Sequence, residues 1–396
     1  MIVLRSKYKW MAIFFLVWLY RIDFMPDSGG GVAKIIQIVT LCGIFYYIHK
    51  YQNNIVSWTY GKLNMPVKSL MVLYSYAAVS TLWAFVPAFA LFLSVQNLIM
   101  IMAMAWFFNQ FTDFRNMEKG FVSFALIIIT FECLCARINN PSVFIHFLGG
   151  GSASALCFSY CVAEWFKAKS MDKKRARFLK HSMIWALVLM VSCTSTGANA
   201  AAIFGWAVAC MFAGKVFWTM LLLFLTGFLY FNQDAIETVI LTLNPGKTME
   251  MIESGNGRET IWAALMANAN QKPIFGWGYA CIERTASNVL EGQILSDAHN
   301  NYIGMYGSLG IVGLILFIYH LIVSAVKTFS KRMKPGCLGV FTAICTAAVN
   351  SYSYGFLSGK GCSITVIYFA IITLSYYYNK VPYGLGNSMQ NSNLNG

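Results

Sequence analysis

Charge is what this chain has least of. Only 11% of its 396 residues are Asp, Glu, Lys or Arg, and just 15 are acids. A soluble domain carries about 25% charged and about 45–50% apolar residues. Here 58% are hydrophobic, which excludes an ordinary soluble domain and a disordered chain alike. Histidine is scarce as well, with five in the chain, and no His/Cys spacing suits a metal. Neither a metal nor a cofactor is expected. The 11 cysteines are scattered through apolar runs. Cys133 and Cys135 lack a second pair, and in the long polar segment Cys281 stands alone, which argues against a disulfide framework. The first apolar run has no small-residue cleavage site and is followed by Arg21 and Asp23, so no cleavable signal peptide is expected.

What is abundant is apolar sequence in span-sized blocks. Runs of roughly 17–25 residues yield about twelve candidate membrane spans: 8–24, 32–49, 67–84, 87–109, 120–137, 142–166, 181–196, 198–214, 216–232, 300–326, 337–353 and 363–379. The expected fold is all-α and polytopic, with one large periplasmic loop carrying short helices. Helices one to nine occupy 1–232, the loop 233–299, helices ten to twelve 300–380, and a disordered tail 381–396. The net charge of +14 is not a nucleic-acid face. Three basic stretches, MIVLRSKYKW at the start, KAKSMDKKRARFLK at 167–180 and KTFSKRMK at 327–334, fall on one side of this arrangement. The positive-inside rule makes that side cytoplasmic, with both termini inside the plasma (inner) membrane and the loop outside. Glu132 is read as the only acid well inside a span, with Arg137 as its structural partner.

The loop 233–299 is too long and too apolar for a linker, and long loops are where function concentrates. GRETIWAALMANAN (257–270) reads as a helix with Asn256 and Glu259 as a capping box and Pro273 beyond its end. Arg258, Ile261, Trp262, Leu265 and Met266 share one face, suited to the membrane domain or to lipid headgroups. Arg258 then faces either a lipid phosphate or a surface partner such as Glu253. Arg284 is open in the same way, with Glu283 or Glu291 as surface partners. His299 lies at the outward mouth of the tenth span. The free N–H groups and partial positive charge of a helix start favour an anion there and keep an imidazole neutral and able to accept a proton. Ser296 and Asp297 are the residue types that cap such a start. A polar helix-start residue at the interface is the alternative. Glycines 304, 307, 310 and 313 read as a face for close packing.

GRETIW, KPIFGWGY (272–279) and SDAHNNYI with GSLGIVG, in that order within one outer loop, resemble the signature of the O-antigen ligase and O-antigen polymerase superfamily. The resemblance is close over about 255–325. It implies a metal-independent membrane glycosyltransferase that moves a glycan from a polyprenyl (undecaprenyl) diphosphate carrier to an acceptor sugar hydroxyl at the outer face, without nucleotide sugar. It also implies that His299 is the base and that Arg258, Arg284 and Asn300 bind the diphosphate, with Arg258 contributing to catalysis. The implied partners are a lipid-linked oligosaccharide donor, a glycan acceptor, membrane lipids and a chain-length regulator, but no nucleic acid. The GRETIW and AHNNYI forms stand closer to polymerases than to ligases that use lipid A-core. One departure is TSTGANAA (194–201), where Thr196 stands in place of the arginine of a Ser-Arg-Gly pattern. Either Arg137 supplies that charge or this chain does without it.

The rival class is a transporter, such as a flippase of lipid-linked oligosaccharides. Such a chain would carry discontinuous helices and midplane charges, whereas the unusual polarity here gathers in an outer loop. The topology has a direct check: cysteines placed at Ser170 and Asn288 should react with an impermeant reagent from opposite sides. Labelling of both from outside would overturn it.

Overall fold

A computed structural model describes residues 30–51, 64–108, 111, 113–139, 147–221, 238, 241–242, 258–285, 298–359 and 362–377. All regular structure among them is helical. In chain order these are α1 (Gly30–Tyr51), α2 (Met65–Val79), α3 (Pro87–Phe108), α4 (Phe114–Asn139), α5 (Leu148–Met171), α6 (Lys173–Ser192), α7 (Thr196–Phe212), α8 (Arg258–Ala269), α9 (Ile282–Thr285), α10 (Asn301–Phe329), α11 (Cys337–Asn350) and α12 (Ser363–Tyr377). Ten of the expected spans fall on these helices. The span at 8–24 and most of that at 216–232 lie outside the described residues. Helices α3, α4 and α10 are long and apolar enough to cross a membrane, whereas α7, α11 and α12 are apolar but shorter.

The bundle is organised around α12. Residues 362–376 are buried on every side, as an all-round apolar helix must be. It packs against α2, α3, α4, α5 and α11. Hydroxyls within it turn onto carbonyls, Thr365 to Phe356 at 2.6 Å and Thr373 to Phe369 at 2.6 Å, which satisfies those buried groups. On the outside, large apolar side chains such as Val72, Ile127, Trp185, Phe204, Ile315 and Ile322 remain exposed. A surface of that kind belongs against lipid, and the chain is a membrane protein.

Contacts sort the connections into two ends. At one, Asn64 donates to Ser375 Oγ (3.1 Å) and Lys167 Nζ to the carbonyls of Arg332 (2.6 Å) and Lys334 (2.7 Å). At the other, Phe85 N–H donates to Trp277 O (2.7 Å), Phe147 N–H to Cys193 O (3.2 Å) and Asn301 N–H to Ser351 O (2.8 Å). The basic stretches 167–180 and 327–334 lie at the first end and the 258–285 segment at the second, the alternation that the span pattern expects; the basic start of the chain lies outside the described residues.

The basic stretch 167–180 is not an open loop. Helix α5 runs to Met171 and α6 starts at Lys173, with Asp172 between them accepting from Arg175 N–H at 3.1 Å. Arg115 also pairs with Asp172 at 2.8 Å. Arg175, one of the basic residues of this stretch, is buried between Glu118 (2.6 Å) and Glu164 (2.5 Å). Burial alone would lower the arginine's pKa, but the Glu118 carboxylate overcompensates and raises it, so the guanidinium stays charged. Glu164 in turn accepts from Gly336 N–H (2.8 Å) and Gly339 N–H (2.9 Å) at the start of α11, where a carboxylate suits the helix dipole. Glu132 is buried too, as are Glu118 and Glu164 toward the lysine-rich end.

Helix α10 is broken at Gly310, whose φ of 68° and ψ of −167° are not helical. A Cβ there would collide with the Ile274 carbonyl. The evenly spaced glycines are therefore more than a packing face. This backbone region is essentially glycine-only and costs other residues roughly 1–3 kcal/mol. Gly310→Ala should destabilise the protein by at least that amount, read as a lowered unfolding midpoint in detergent. An unchanged midpoint would mean that the break is not rigid.

Candidate functional site

The break in α10 is filled by the KPIFGWGY segment. The N–H groups of Trp277 and Gly278 donate to the carbonyls of Gly307 (3.0 Å) and Ser308 (2.8 Å), and Ile311 N–H donates to Pro273 O (2.8 Å). Backbone groups that an unbroken helix would satisfy internally are thus satisfied by a second segment. Gly276 (φ 69°) and Gly278 (φ 95°) let the strap approach, since a Cβ would strike Ser308 at the first and Ala84 at the second. Further anchors reach the corner between α2 and α3. Trp83 Nε1 donates to Phe275 O (3.0 Å) and Tyr279 N–H to Ser80 Oγ (3.0 Å). The Tyr279 hydroxyl, fully buried, accepts from Asn97 (2.9 Å) and donates to Leu357 O (2.8 Å). Burial pushes its pKa above the usual tyrosine range, so it acts as a fastening, not as a base.

On this platform sit the helices that carry the candidate residues. Arg258 is the first residue of α8 and is partly exposed. The apolar stripe that follows it faces protein: Leu265 and Ala269 of α8, Ile282 of α9 and Ala298 form one small core, with Ile261, Trp277, Ile303 and Tyr306 around it. Trp262 spans the gap, its indole N–H donating to Ala298 O at 3.0 Å and its ring meeting Tyr352 edge-on at 5.3 Å. Asn268 of α8 reaches Thr285 O at 3.0 Å. Arg284, in α9, lays its guanidinium 4.0 Å from the centroid of Phe89 in the first turn of α3, a cation–π contact that sequence reasoning did not offer. The carriers of Arg258, Arg284 and His299 therefore share one apolar anchor at the end opposite the lysines. Asn256, Glu253 and Glu291 lie outside the described residues.

His299 stands in a left-handed backbone conformation, φ 52°, uncommon for a non-glycine residue. Its Nδ1 is out of solvent. The cap of α10 differs from the sequence reading. Ser296 and Asp297 lie outside the described residues, and the capping residue is Asn300, whose Oδ1 accepts from Tyr302 N–H (2.8 Å) and Ile303 N–H (3.1 Å). Asn301 N–H donates to Ser351 O and Gly304 N–H to Asn300 O. The opening N–H groups of the helix are all engaged inside the protein, so the expected free donors for an anion are not there. Only the dipole remains. Asn300, expected to bind substrate, has its carbonyl oxygen committed to this cap. Asn301 fastens the same corner: Nδ2 donates to Ser351 Oγ (2.9 Å), and Oδ1 accepts from Leu357 N–H (2.8 Å) and Ser358 N–H (3.1 Å). The HNN triplet thus divides into a half-buried histidine, a cap and a clamp. An asparagine immediately before a helical period was the available signal for the cap.

Thr196, at the departure from the Ser-Arg-Gly pattern, begins α7 with Ser195 as its cap. Gly197 beside it packs so tightly on Ser353 that a Cβ would collide. Arg137 lies half-buried in the last turn of α4. Among the described residues no cluster of three or more His, Cys, Asp or Glu groups is placed to hold a metal.

Residues 181–318 match a family model described as O-antigen ligase. That span runs from α6 into the second half of α10 and contains α8, the strap, α9, His299 and Gly310. No curated protein matches the chain.

Trp262 tests the platform. Trp262→Phe keeps the ring against Tyr352 and removes the bond to Ala298. It should cost about 0.5–1.5 kcal/mol and speed amide exchange at 298–301, measured by hydrogen–deuterium exchange. Unaltered exchange would show that the indole does not hold the His299 turn.

Proposed function

We propose, on the match of residues 181–318 to the O-antigen ligase family model, that this chain is a membrane glycosyltransferase that transfers a glycan from a polyprenyl diphosphate to an acceptor sugar hydroxyl at the outer face of the cell membrane. The observation that supports this most directly is the Trp262–Ala298 bond, which draws the Arg258 helix to the His299 turn. A proton acceptor and a fork-shaped cation then border one region where the protein meets lipid. The Lys-rich end of the bundle is assigned to the cytoplasm and the strap end to the periplasm.

The acceptor oxygen attacks the anomeric carbon of the donor. The bond from that carbon to the phosphate oxygen breaks, and the diphosphate leaves with the electron pair. The acceptor proton passes to His299 as general base. Arg258 and Arg284 offset the charge growing on the diphosphate, a task for which bidentate guanidinium geometry is suited. Asn300, buried and capping α10, is assigned to holding the His299 turn beside the diphosphate. Polymerase is favoured over ligase by the GRETIW and AHNNYI forms, which makes the acceptor another lipid-linked repeat.

A transporter has one observation in its favour: α10 is discontinuous, which the sequence did not suggest. Two features weigh against it. The carbonyls released at the break are occupied by Trp277 and Gly278, and the buried charges Glu118, Arg175 and Glu164 satisfy one another.

Glycan transfer by purified protein from a lipid-linked donor, with donor binding measured separately, tests the assignment. His299→Gln should fall by ~10²–10⁴-fold in turnover with binding kept. Arg258→Lys should fall roughly ten- to a hundredfold, since hydrogen bonds to charged groups contribute about 1.5–3 kcal/mol. Substantial turnover in His299→Gln would remove it as the base. In a strain lacking the protein, single repeats without polymer mean polymerase, polymer retained on carrier lipid means ligase, and intermediates trapped inside mean flippase.

A further inference from the structure

At the end of the bundle opposite His299, a cavity of about 300 Å³ opens between α2, α10, α11 and α12, lined by Asn64, Lys68, Lys327, Thr328, Lys331 and Ser375 among others. That volume falls at the lower edge of small-ligand sites, roughly 300–1,000 Å³. Three lysines line it. Lys327 lies in the last turn of α10, Lys331 in the turn just beyond its Ser330 cap, and Lys68 in the first turn of α2. Among the described residues no carboxylate lines the cavity and none forms an ion pair with these lysines. Glu164 influences Cys337 at the cavity's edge, but it is engaged by Arg175 and by the N–H groups of Gly336 and Gly339.

Like charges converging on one cavity repel each other unless an anion joins them. The polar groups around them do not substitute for one. Asn64 spends Nδ2 on Ser375 and Oδ1 on Val67 N–H, and Thr328 donates to Ser324 O. Lysine ammoniums bind phosphate as point charges. The helices beside the cavity turn apolar side chains outward, with Met65 43%, Ile322 57% and Val326 58% exposed. Acyl chains would lie against that surface, and basic pockets between membrane helices hold anionic headgroups in this way.

We propose that the cavity bordered by Lys68, Lys327 and Lys331 binds a phosphate group. The site is independent of the glycosyl-transfer reading. The test uses the purified full chain in detergent, titrated with phosphatidylglycerol, phosphatidylcholine or inorganic phosphate and followed by native mass spectrometry and thermal unfolding. Phosphatidylglycerol should bind, and phosphatidylcholine should bind far more weakly. The triple variant Lys68→Gln, Lys327→Gln, Lys331→Gln should bind phosphatidylglycerol about a hundredfold more weakly, from roughly a fivefold factor per lysine. The corresponding triple arginine variant should retain binding. Should the glutamine triple fail to fold, Lys331→Gln alone should show the fivefold loss. A control triple at the exposed Lys173, Lys174 and Lys180 should bind as the unmodified chain does. Binding of inorganic phosphate, lost in the same glutamine triple, would support the site with a soluble anion as its source. Equal binding by the glutamine triple and the unmodified chain, or equal loss in the control triple, would overturn the proposal.

Discussion

The candidate site depends on one backbone exchange. At Gly310 a membrane helix gives up its own hydrogen bonds, and the segment 273–278 takes them over. In lipid a released carbonyl has no water to turn to, so the break is tolerable only while the strap is in place. Neither element is stable without the other. That constraint explains why KPIFGWGY and GSLGIVG occur together and why their glycines fall at 276, 278 and 310, where a Cβ has no room. Once the strap is fixed, its two ends direct the chain. α8 is held before it and α9 after it, and through them Arg258 and Arg284 are brought to the layer where α10 begins.

The two ends of the bundle solve opposite electrostatic problems. At the lysine-rich end charge is concentrated and compensated internally, with Arg175 joining α4, α5 and α6 through Glu118 and Glu164, and Glu164 closing the start of α11. At the strap end fixation relies on neutral hydrogen bonds and small apolar contacts, such as Asn301 with Ser351 and Trp262 with Ala298. Two cations there lie over aromatic rings, Arg284 over Phe89 and Lys272 over Trp277.

Helix positions were legible because membrane spans declare themselves by length and apolarity, and ten expected spans coincide with observed helices. The GRETIW helix was legible for the same reason, its stripe landing on Leu265 and Ala269 as a buried seam. What escaped was anything decided by pairing across long sequence distance. The burial of Arg175 needs Glu118, 57 residues away, and nothing local distinguishes that arginine from its solvated neighbours. The evenly spaced glycines suggested a smooth face, whereas one of them is a break, because the strap that fills it lies some thirty residues earlier. The cap was assigned to Ser296 and Asp297 by residue type, although Asn300, equally apt, stands directly before the first turn. His299, Arg258 and Arg284 were singled out from sequence, and their carriers do converge. Trp262 and Asn301, which fix that convergence, were read only as a stripe member and a neighbour.

The burial of α12 has a consequence for biogenesis. It is the innermost helix, yet the ribosome makes it after every helix that surrounds it. Until it emerges, α2, α3 and α5 lack the helix against which they later pack. The earlier helices must therefore wait in the bilayer without their central partner, and they become a closed bundle in a late step. A chain stopped before residue 363 would have all of the candidate site and none of the pillar beneath it. Quality control that recognises polar membrane helices would see such a chain as unfinished.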